Sequence, residues 1–304
     1  MEELNYKYAI IILHWGNISD TIECLDSIDK YCLNYKYFVV LVDNTGNNCS
    51  LIINQKKFSF KLHIINSSEN LGFAAGNNIG IKFADKFNPE NYILINNDTV
   101  FINNDLDRLI NIFDKNTDYG IMGLNNYYYD YPDIVWQAGI KINFTFGITK
   151  VIKKVNNNSS KITEVDNVTG SALLIRRNVI ERIGLLNEEY FNYWEETEWC
   201  YLAKKNGFKV GLPDNLRILH KKEKKIYNSN PIHNYFILRN KLFFFRNKIR
   251  LFFIAFLFAV IKAFIIAVIS EINGNKMNIR AFYYAIKDYL SHNMRKGNLE
   301  KIIK

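Results

Sequence analysis

Cysteine is scarce in this chain of 304 residues. Cys24, Cys32, Cys49 and Cys200 form no CxxC pair and follow no regular spacing. They offer no disulfide framework, and a reduced, cytoplasmic protein is the simplest reading. Nor does "MEELNYKYAIIIL" read as a secretory signal, because it begins acidic and runs directly into a strand-like segment. There is no internal repeat and no GxGxxG of a dinucleotide fold. Apolar residues, by contrast, are plentiful: 48% are hydrophobic, with 19 tyrosines and 22 phenylalanines. Disorder is excluded, and the length suffices for one large domain or two small ones with a sizeable core.

The net charge of +9 is unevenly spread. Residues 1–220 hold 22 Lys/Arg against 26 Asp/Glu, residues 221–250 hold 9 against 1, and residues 251–304 hold 8 against 3. The positive excess therefore sits in the last quarter, where the basic run leads into the apolar "LFFIAFLFAVIKAFIIAVIS", residues 251–270. A basic stretch joined to an apolar one fits an anionic membrane surface better than a nucleic acid.

Strand-like and helix-like patterns alternate over the first 120 residues. "KYAIIILHW", "YFVVLVDN", "KLHIIN" and "NYILIN" read as strands. "SDTIECLDSIDKYC", with Ser19 and Asp20 as candidate caps, and "AGNNIGIKFADKF" read as helices. This order implies a mostly parallel α/β sheet with helices on both faces, whose ligands gather beyond the carboxyl ends of the strands. Asp43 and Asp98 both sit at such ends. Further along, "KKVNNNSSK" reads as a surface loop and "GSALLIRR" as a strand. "WEETEWCYLAKKNG" reads as a helix capped by Gly207, and residues 221–304 as largely helical.

Three segments could carry chemistry. Asp98, in "YILINNDTVF", could hold a divalent cation and through it a diphosphate, although Asn and Asp also build plain turns. "SENLGFAAGNNIG", with Gly72, Gly76 and Gly80, could approach a phosphate or sugar, or be an ordinary loop-to-helix junction. Among Glu195, Glu196 and Glu198, residues two apart on a helix point to nearly opposite sides. A general base competes there with simple helix-dipole complementarity. His220 closes the strand-like "LRILH" as a structural residue or a ligand.

Together these pieces resemble a family 2 glycosyltransferase of the GT-A fold, of the bacterial rhamnosyltransferase-like type. "AIIILHWGNISDTIECLDSI" is similar to the family's opening strand and helix, "LVDN" to its base-reading segment and "ENLGFAAGNNIGI" to its most recognisable loop. "ILINNDTVF" resembles its DxD-type metal motif. The block from Gly170 to His220 resembles its acceptor side, and "YFILRNKLFFF" its Arg-Asn segment. The likeness covers roughly residues 7–250.

The resemblance implies that Asp43 contacts the base, and that Trp15, Asn70, Gly72, Asn77 and Asn96 line the nucleotide-sugar site. Asp98 and His220 would bind Mg²⁺ or Mn²⁺, and Glu196 would be the catalytic base of an inverting transfer. Asn96 replaces the first acid of DxD and leaves a single carboxylate, Glu stands where Asp is commoner at the base, and Gly16 replaces an Asn in the opening motif. The implied donor is a UDP- or dTDP-sugar, and the acceptor a glycan or a polyprenyl-diphosphate-linked sugar in cell-surface polysaccharide synthesis. A nucleotidyltransferase would need a basic Gly-rich loop after the first strand, which "HWGNISD" lacks. A non-catalytic scaffold would fit the substituted DxD and would not hydrolyse nucleotide sugars.

These readings give a catalytic domain over 1–225 and a basic helical region over 226–304. Lys/Arg on both flanks of 251–270 argue against a simple span. The expectation is a helix or helical pair on the cytoplasmic leaflet, a peripheral association with the inner face of the membrane. Burial of the segment against the catalytic domain is the alternative.

Overall fold

The chain is described by a computed structural model over residues 6–46, 50–155, 161–222, 230–249, 251–274 and 277–303. Cys49, residues 156–160 of the asparagine-rich loop, the boundary at residue 225 and the basic residues Lys224, Lys225, Arg250 and Lys276 lie outside the described residues.

The first strand, β1 (Tyr8–His14), is buried throughout. Tyr8, Ile10 and Ile12 enter one core and Ala9, Ile11 and Leu13 the other. That is why the segment reads as an unbroken apolar run: both faces are covered. α1 (Ile18–Tyr31), β2 (Tyr37–Asp43), the short α2 (Ser50–Ile53), β3 (Lys61–Asn66), α3 (Gly72–Ala84) and β4 (Asn91–Asn96) follow. The cap of α1 is Asn17, whose side chain accepts from the Ser19 N–H, rather than Ser19 or Asp20, which lie inside the helix.

Next come β5 (Thr99–Val100), α4 (Asp105–Lys115), β6 (Tyr119–Gly123), β7 (Asn125–Tyr128), β8 (Val135–Gln137), β9 (Ile140–Asn143), β10 (Ile148–Val151) and β11 (Ile162–Glu164). β12 (Ala172–Arg176), α5 (Arg177–Ile183), α6 (Glu195–Lys205), β13 (Lys209–Pro213) and β14 (Arg217–His220) complete the sheets. α7 (Pro231–Phe245), α8 (Phe252–Ile272), α9 (Asn278–Leu290) and α10 (Leu299–Ile303) form the C-terminal region.

The main sheet has the order β11-β13-β6-β12-β4-β1-β2-β3. Its β4-β1-β2-β3 half is parallel, whereas β12 runs antiparallel to both β4 and β6, so the α/β sheet is mixed. The chain steps outward from β1 to β2 and β3, then returns to the other side of β1 as β4. In open α/β sheets such a reversal marks where the ligand crevice lies, here at the carboxyl ends of β1 and β4. A second sheet, β5-β14-β7-β8, begins there.

Gly76 and Gly80 owe their spacing to packing. A Cβ on either would lie 2.4 Å from Leu13 or Ile11 of β1, so the glycines let α3 lie close on the sheet.

The C-terminal helices pack around Phe236, Leu238, Leu242, Ala281 and Ala285. α8 contributes mainly the small residues Ala255, Ala259 and Ala267 to buried positions. Phe253, Phe258, Ile261, Phe264, Ile265 and Ile272 are exposed, so α8 is not buried against the catalytic region. By length and composition it is the one helix among the described residues able to cross a membrane.

Candidate active site

β4 ends at Asn96, and the chain turns through Asn97 and Asp98 into β5. The Asn97 amide of this turn serves structure. Buried Asn97 donates to the Trp15 carbonyl (3.1 Å) and to Thr21 Oγ1 (2.9 Å), tying the β4 turn to the β1 loop and α1. The Asn96 carbonyl accepts from Thr99 Oγ1 (2.7 Å).

β5 pairs antiparallel with β14, which sets His220 opposite Thr99 and hence beside Asp98, 122 positions earlier in the chain. His220 Nε2 stands 3.0 Å from Asp98 Oδ1. The Lys221 N–H donates to the Asp98 carbonyl (2.9 Å), and its ammonium reaches Asp20 (2.7 Å) and Glu23 (2.5 Å) on α1. Burial pushes the Asp98 carboxyl up, but the contact with His220, its charge and that of Lys222 outweigh it, and the net shift is downward. Asp98 is therefore held ionised.

His220 is almost fully buried, its ring edge-on to Trp136 with 4.9 Å between centroids. The 3.0 Å approach to Asp98 is not an aligned hydrogen bond, so neither ring nitrogen has a hydrogen-bond partner among the described residues. A buried imidazole in that state beside an ionised carboxylate fits a cation ligand. No group of three or more His, Cys, Asp or Glu side chains gathers for a metal among the described residues. Two protein ligands suit Mg²⁺ or Mn²⁺ where phosphate oxygens of a substrate complete the shell.

Glu195 and Glu196 open α6. The backbone before them is unusual: Phe191, Tyr193 and Trp194 have φ of 62°, 69° and 82°, a region that bulky residues avoid. Glu195 is buried, and burial, then the neighbouring Glu196, pushes its carboxyl well above the carboxylate range. Glu196 is half-buried and pushed up by burial to about 7. Each has a buried Oε2 with no hydrogen-bond partner among the described residues. Glu198 points elsewhere, accepting from Lys248 (2.8 Å) and Asn187 (3.0 Å).

Tyr193 feels the charges of both ends. Its phenol is pushed up to about 12 by burial first, then by the negative charges of Glu195, Glu196 and Asp98. One side chain thus senses both the base candidates and the metal candidate. His233, at the start of α7, stacks edge-on against the same ring at 4.7 Å, and burial lowers its imidazole to about 4.

The other predicted residues divide. Trp15 follows β1 and is 54% exposed. Asp43 ends β2, fully buried, with Oδ1 accepting from the Thr45 N–H (2.9 Å) and hydroxyl (2.6 Å). Asn70 Oδ1 accepts from Asn44 (3.1 Å) and from the Gly72 N–H (2.9 Å), and Asn77 bonds back to the Phe73 carbonyl (2.9 Å). Gly72, at φ 82°, packs on Phe191: a Cβ there would lie 2.3 Å from its carbonyl oxygen. These contacts shape the loop between β3 and α3. Sequence reasoning missed Asn44, whose amide bridges Asn70, the Gly72 carbonyl and the Leu71 N–H. The only available signal was an amide directly after a strand-ending Asp.

Comparison with known proteins agrees with this architecture. The chain is 29% identical to the low-salt glycan biosynthesis hexosyltransferase Agl10 of Haloferax volcanii, over 57% of this chain and 55% of that one. It is 25% identical to the dTDP-rhamnosyl transferase RfbF of Shigella flexneri, over 79% of each. Similar solved structures include GalNAc-T7 with UDP, GalNAc and Mn²⁺ (TM-score 0.59, 14% identity, 80% of this chain and 51% of that one). The mannosyltransferase PcManGT of Pyrobaculum calidifontis with GDP-Man and Mn²⁺ is also similar (0.56, 14%, 94% and 76%). The chain spans little more than half of Agl10 and of GalNAc-T7. Residues 9–184 match the family described as glycosyl transferase family 2, and the chain belongs to that family.

Proposed function

We propose that the protein is an inverting glycosyltransferase moving a sugar from a UDP- or dTDP-sugar to a hydroxyl of a glycan or polyprenyl-diphosphate-linked acceptor, in cell-surface polysaccharide synthesis. The observations that carry this reading are geometric: the β5–β14 pairing sets Asp98 Oδ1 3.0 Å from the Nε2 of buried His220, and Glu196 opens α6 with a buried Oε2 that has no hydrogen-bond partner among the described residues. Asp98 and His220 would hold a divalent cation. When bound, the cation supplies Lewis-acid neutralisation of charge on the diphosphate.

Glu196, ionised, accepts the proton of the acceptor hydroxyl as that oxygen attacks the anomeric carbon. The new C–O bond forms on one face while the bond to the diphosphate breaks on the other. The nucleoside diphosphate leaves, and configuration inverts without a covalent intermediate. A base titrating near neutral pH is matched to this task. Trp15, Asp43, Asn70, Gly72, Asn77 and Asn96 belong to the nucleotide-sugar side of the crevice, as direct contacts or as the loop that shapes it.

The exposed apolar face of α8 and the basic residues around it support an association with the anionic inner face of the membrane. Flotation with anionic liposomes checks that part, and protein left in the soluble fraction would contradict it.

Release of nucleoside diphosphate from dTDP-rhamnose, UDP-glucose and UDP-N-acetylglucosamine, with Mn²⁺ or with a chelator, tests the enzyme reading. Release from at least one, lost on chelation, is expected. No release from any would favour a binding protein that keeps the fold.

A further inference from the structure

The left-handed turn that delivers Glu196 is held from outside the crevice. A bulky side chain in that backbone region crowds its own carbonyl and is disfavoured. Phe191, Tyr193 and Trp194, three such residues within four positions, do not stay there unaided.

The holder is Asn240 of α7, fully buried. Its NH₂ lies within hydrogen-bond distance of the carbonyls of Tyr190 (2.9 Å), Asn192 (2.8 Å) and Tyr193 (2.9 Å), which share its two protons. Arg239, equally buried, adds a bond from Nη2 to the Tyr190 carbonyl (3.1 Å). Its Nε donates to Asn240 Oδ1 (2.9 Å), which fixes which end of the amide faces the turn. Arg239 Nη1 continues to Tyr235 Oη (3.0 Å), and Tyr235 donates to Asp288 of α9 (2.5 Å). On its far side the same turn receives the Phe73 N–H of α3 at the Phe191 carbonyl (2.6 Å). The turn before Glu196 is thus tied to α3 through Phe73 and to the C-terminal helices through Asn240 and Arg239.

We propose that Asn240, oriented by Arg239, is a positioning residue for Glu196: it fixes the turn that aims this carboxylate at the acceptor hydroxyl. The inference rests on Glu196 being the base. Neither Asn240 nor Arg239 touches a reacting atom, so both act through the backbone. A misaimed base is costly, because a displacement of about 1 Å far from the chemistry can slow a reaction about 100-fold.

Full-length Asn240→Asp and Asn240→Ser test it, by release of nucleoside diphosphate from the sugars named above, corrected for the folded fraction. Asp keeps the shape but turns a carboxylate toward three carbonyls, and Ser keeps one donor. The expected result is kcat per folded molecule reduced about 100-fold for Asp and about tenfold for Ser, with donor KM within about threefold of wild type. The acid limb of the kcat profile should move for both, since the charged and titratable groups around Glu196 (Glu195 and Tyr193 from the turn, Cys200 one turn along α6) change their distances to it.

Wild-type kcat per folded molecule with an unmoved acid limb would overturn the proposal. So would failure of both variants to fold, which would make Asn240 a stability residue. Glu196→Gln runs alongside. Turnover in that variant would remove the base assignment and this inference together, whereas a dead Glu196→Gln beside active Asn240 variants removes only the inference.

Discussion

Asp98 and Glu196 are both carboxylates at sharp backbone turns, yet the two ends of the crevice drive them in opposite directions. At one end the pairing of β5 with β14 brings His220 against Asp98, and the carboxyl is held below its ordinary range. At the other end no cation pairs with the Glu196 carboxylate among the described residues, and burial lifts it to about 7. The same functional group is favoured as the anion in one place and held near neutral titration in the other, as the proposed roles require. The difference lies in what each turn places around the carboxylate.

Removing the proton acceptor should have the largest effect. Glu196→Gln is expected to keep donor binding, read by thermal shift with UDP, while lowering turnover by about 10³-fold, within the range for a lost general base. Glu198→Gln serves as its partner experiment. That side chain bonds Lys248 and Asn187, so turnover should stay within a few-fold.

Breaking the other end should cost less. Asp98→Asn removes the anion beside His220, and a loss of about 100-fold is expected, with a flattened response to added Mn²⁺ in a titration. An unchanged Mn²⁺ response would detach Asp98 from the cation.

The smallest effect sharpens the contrast through stability. The ordinary value of Glu196 is 4.5, and in the folded chain it is raised to about 7. The folded state therefore holds the proton more tightly, and stability falls as pH rises between those values. Glu196→Gln, which cannot ionise, should unfold at a higher temperature than wild type at pH 8 and at nearly the same temperature at pH 4. The ceiling is about 3 kcal/mol, reduced by the solvent that reaches a half-buried group. The opposite order in a thermal melt would show that the carboxylate is not destabilised by burial.

The sheet was legible where its physics is simple. β1 and β2 are covered on both faces, so unbroken apolar runs marked them, and β3 and β4 were found with their exact ends. The reversed direction of β12 left no mark, because direction depends on where the chain returns and not on local composition. Short strands such as β5 and β8 lack length for a pattern. The cap of α1 moved from Ser19 to Asn17 because only Asn17 has extended backbone with its oxygen over a free N–H.

Glu196 and Asp98 could be named from the chain as candidates, but the turn that precedes Glu196 and its contacts could not. Phe, Tyr and Trp are poor candidates for left-handed backbone, and the bonds that hold their turn come from α7 and α3, remote in sequence. The recurring glycines of α3 were readable as close approach, but what approaches is β1 and Phe191.

Crystals grown with Mn²⁺ and a non-transferable UDP-sugar, with the metal located by its anomalous scattering, would test the central claim most directly. The account predicts Mn²⁺ on Asp98 and His220 with the anomeric carbon of the bound sugar facing the Glu196 carboxylate. Metal bound elsewhere, or a sugar whose anomeric centre faces away from Glu196, would contradict it.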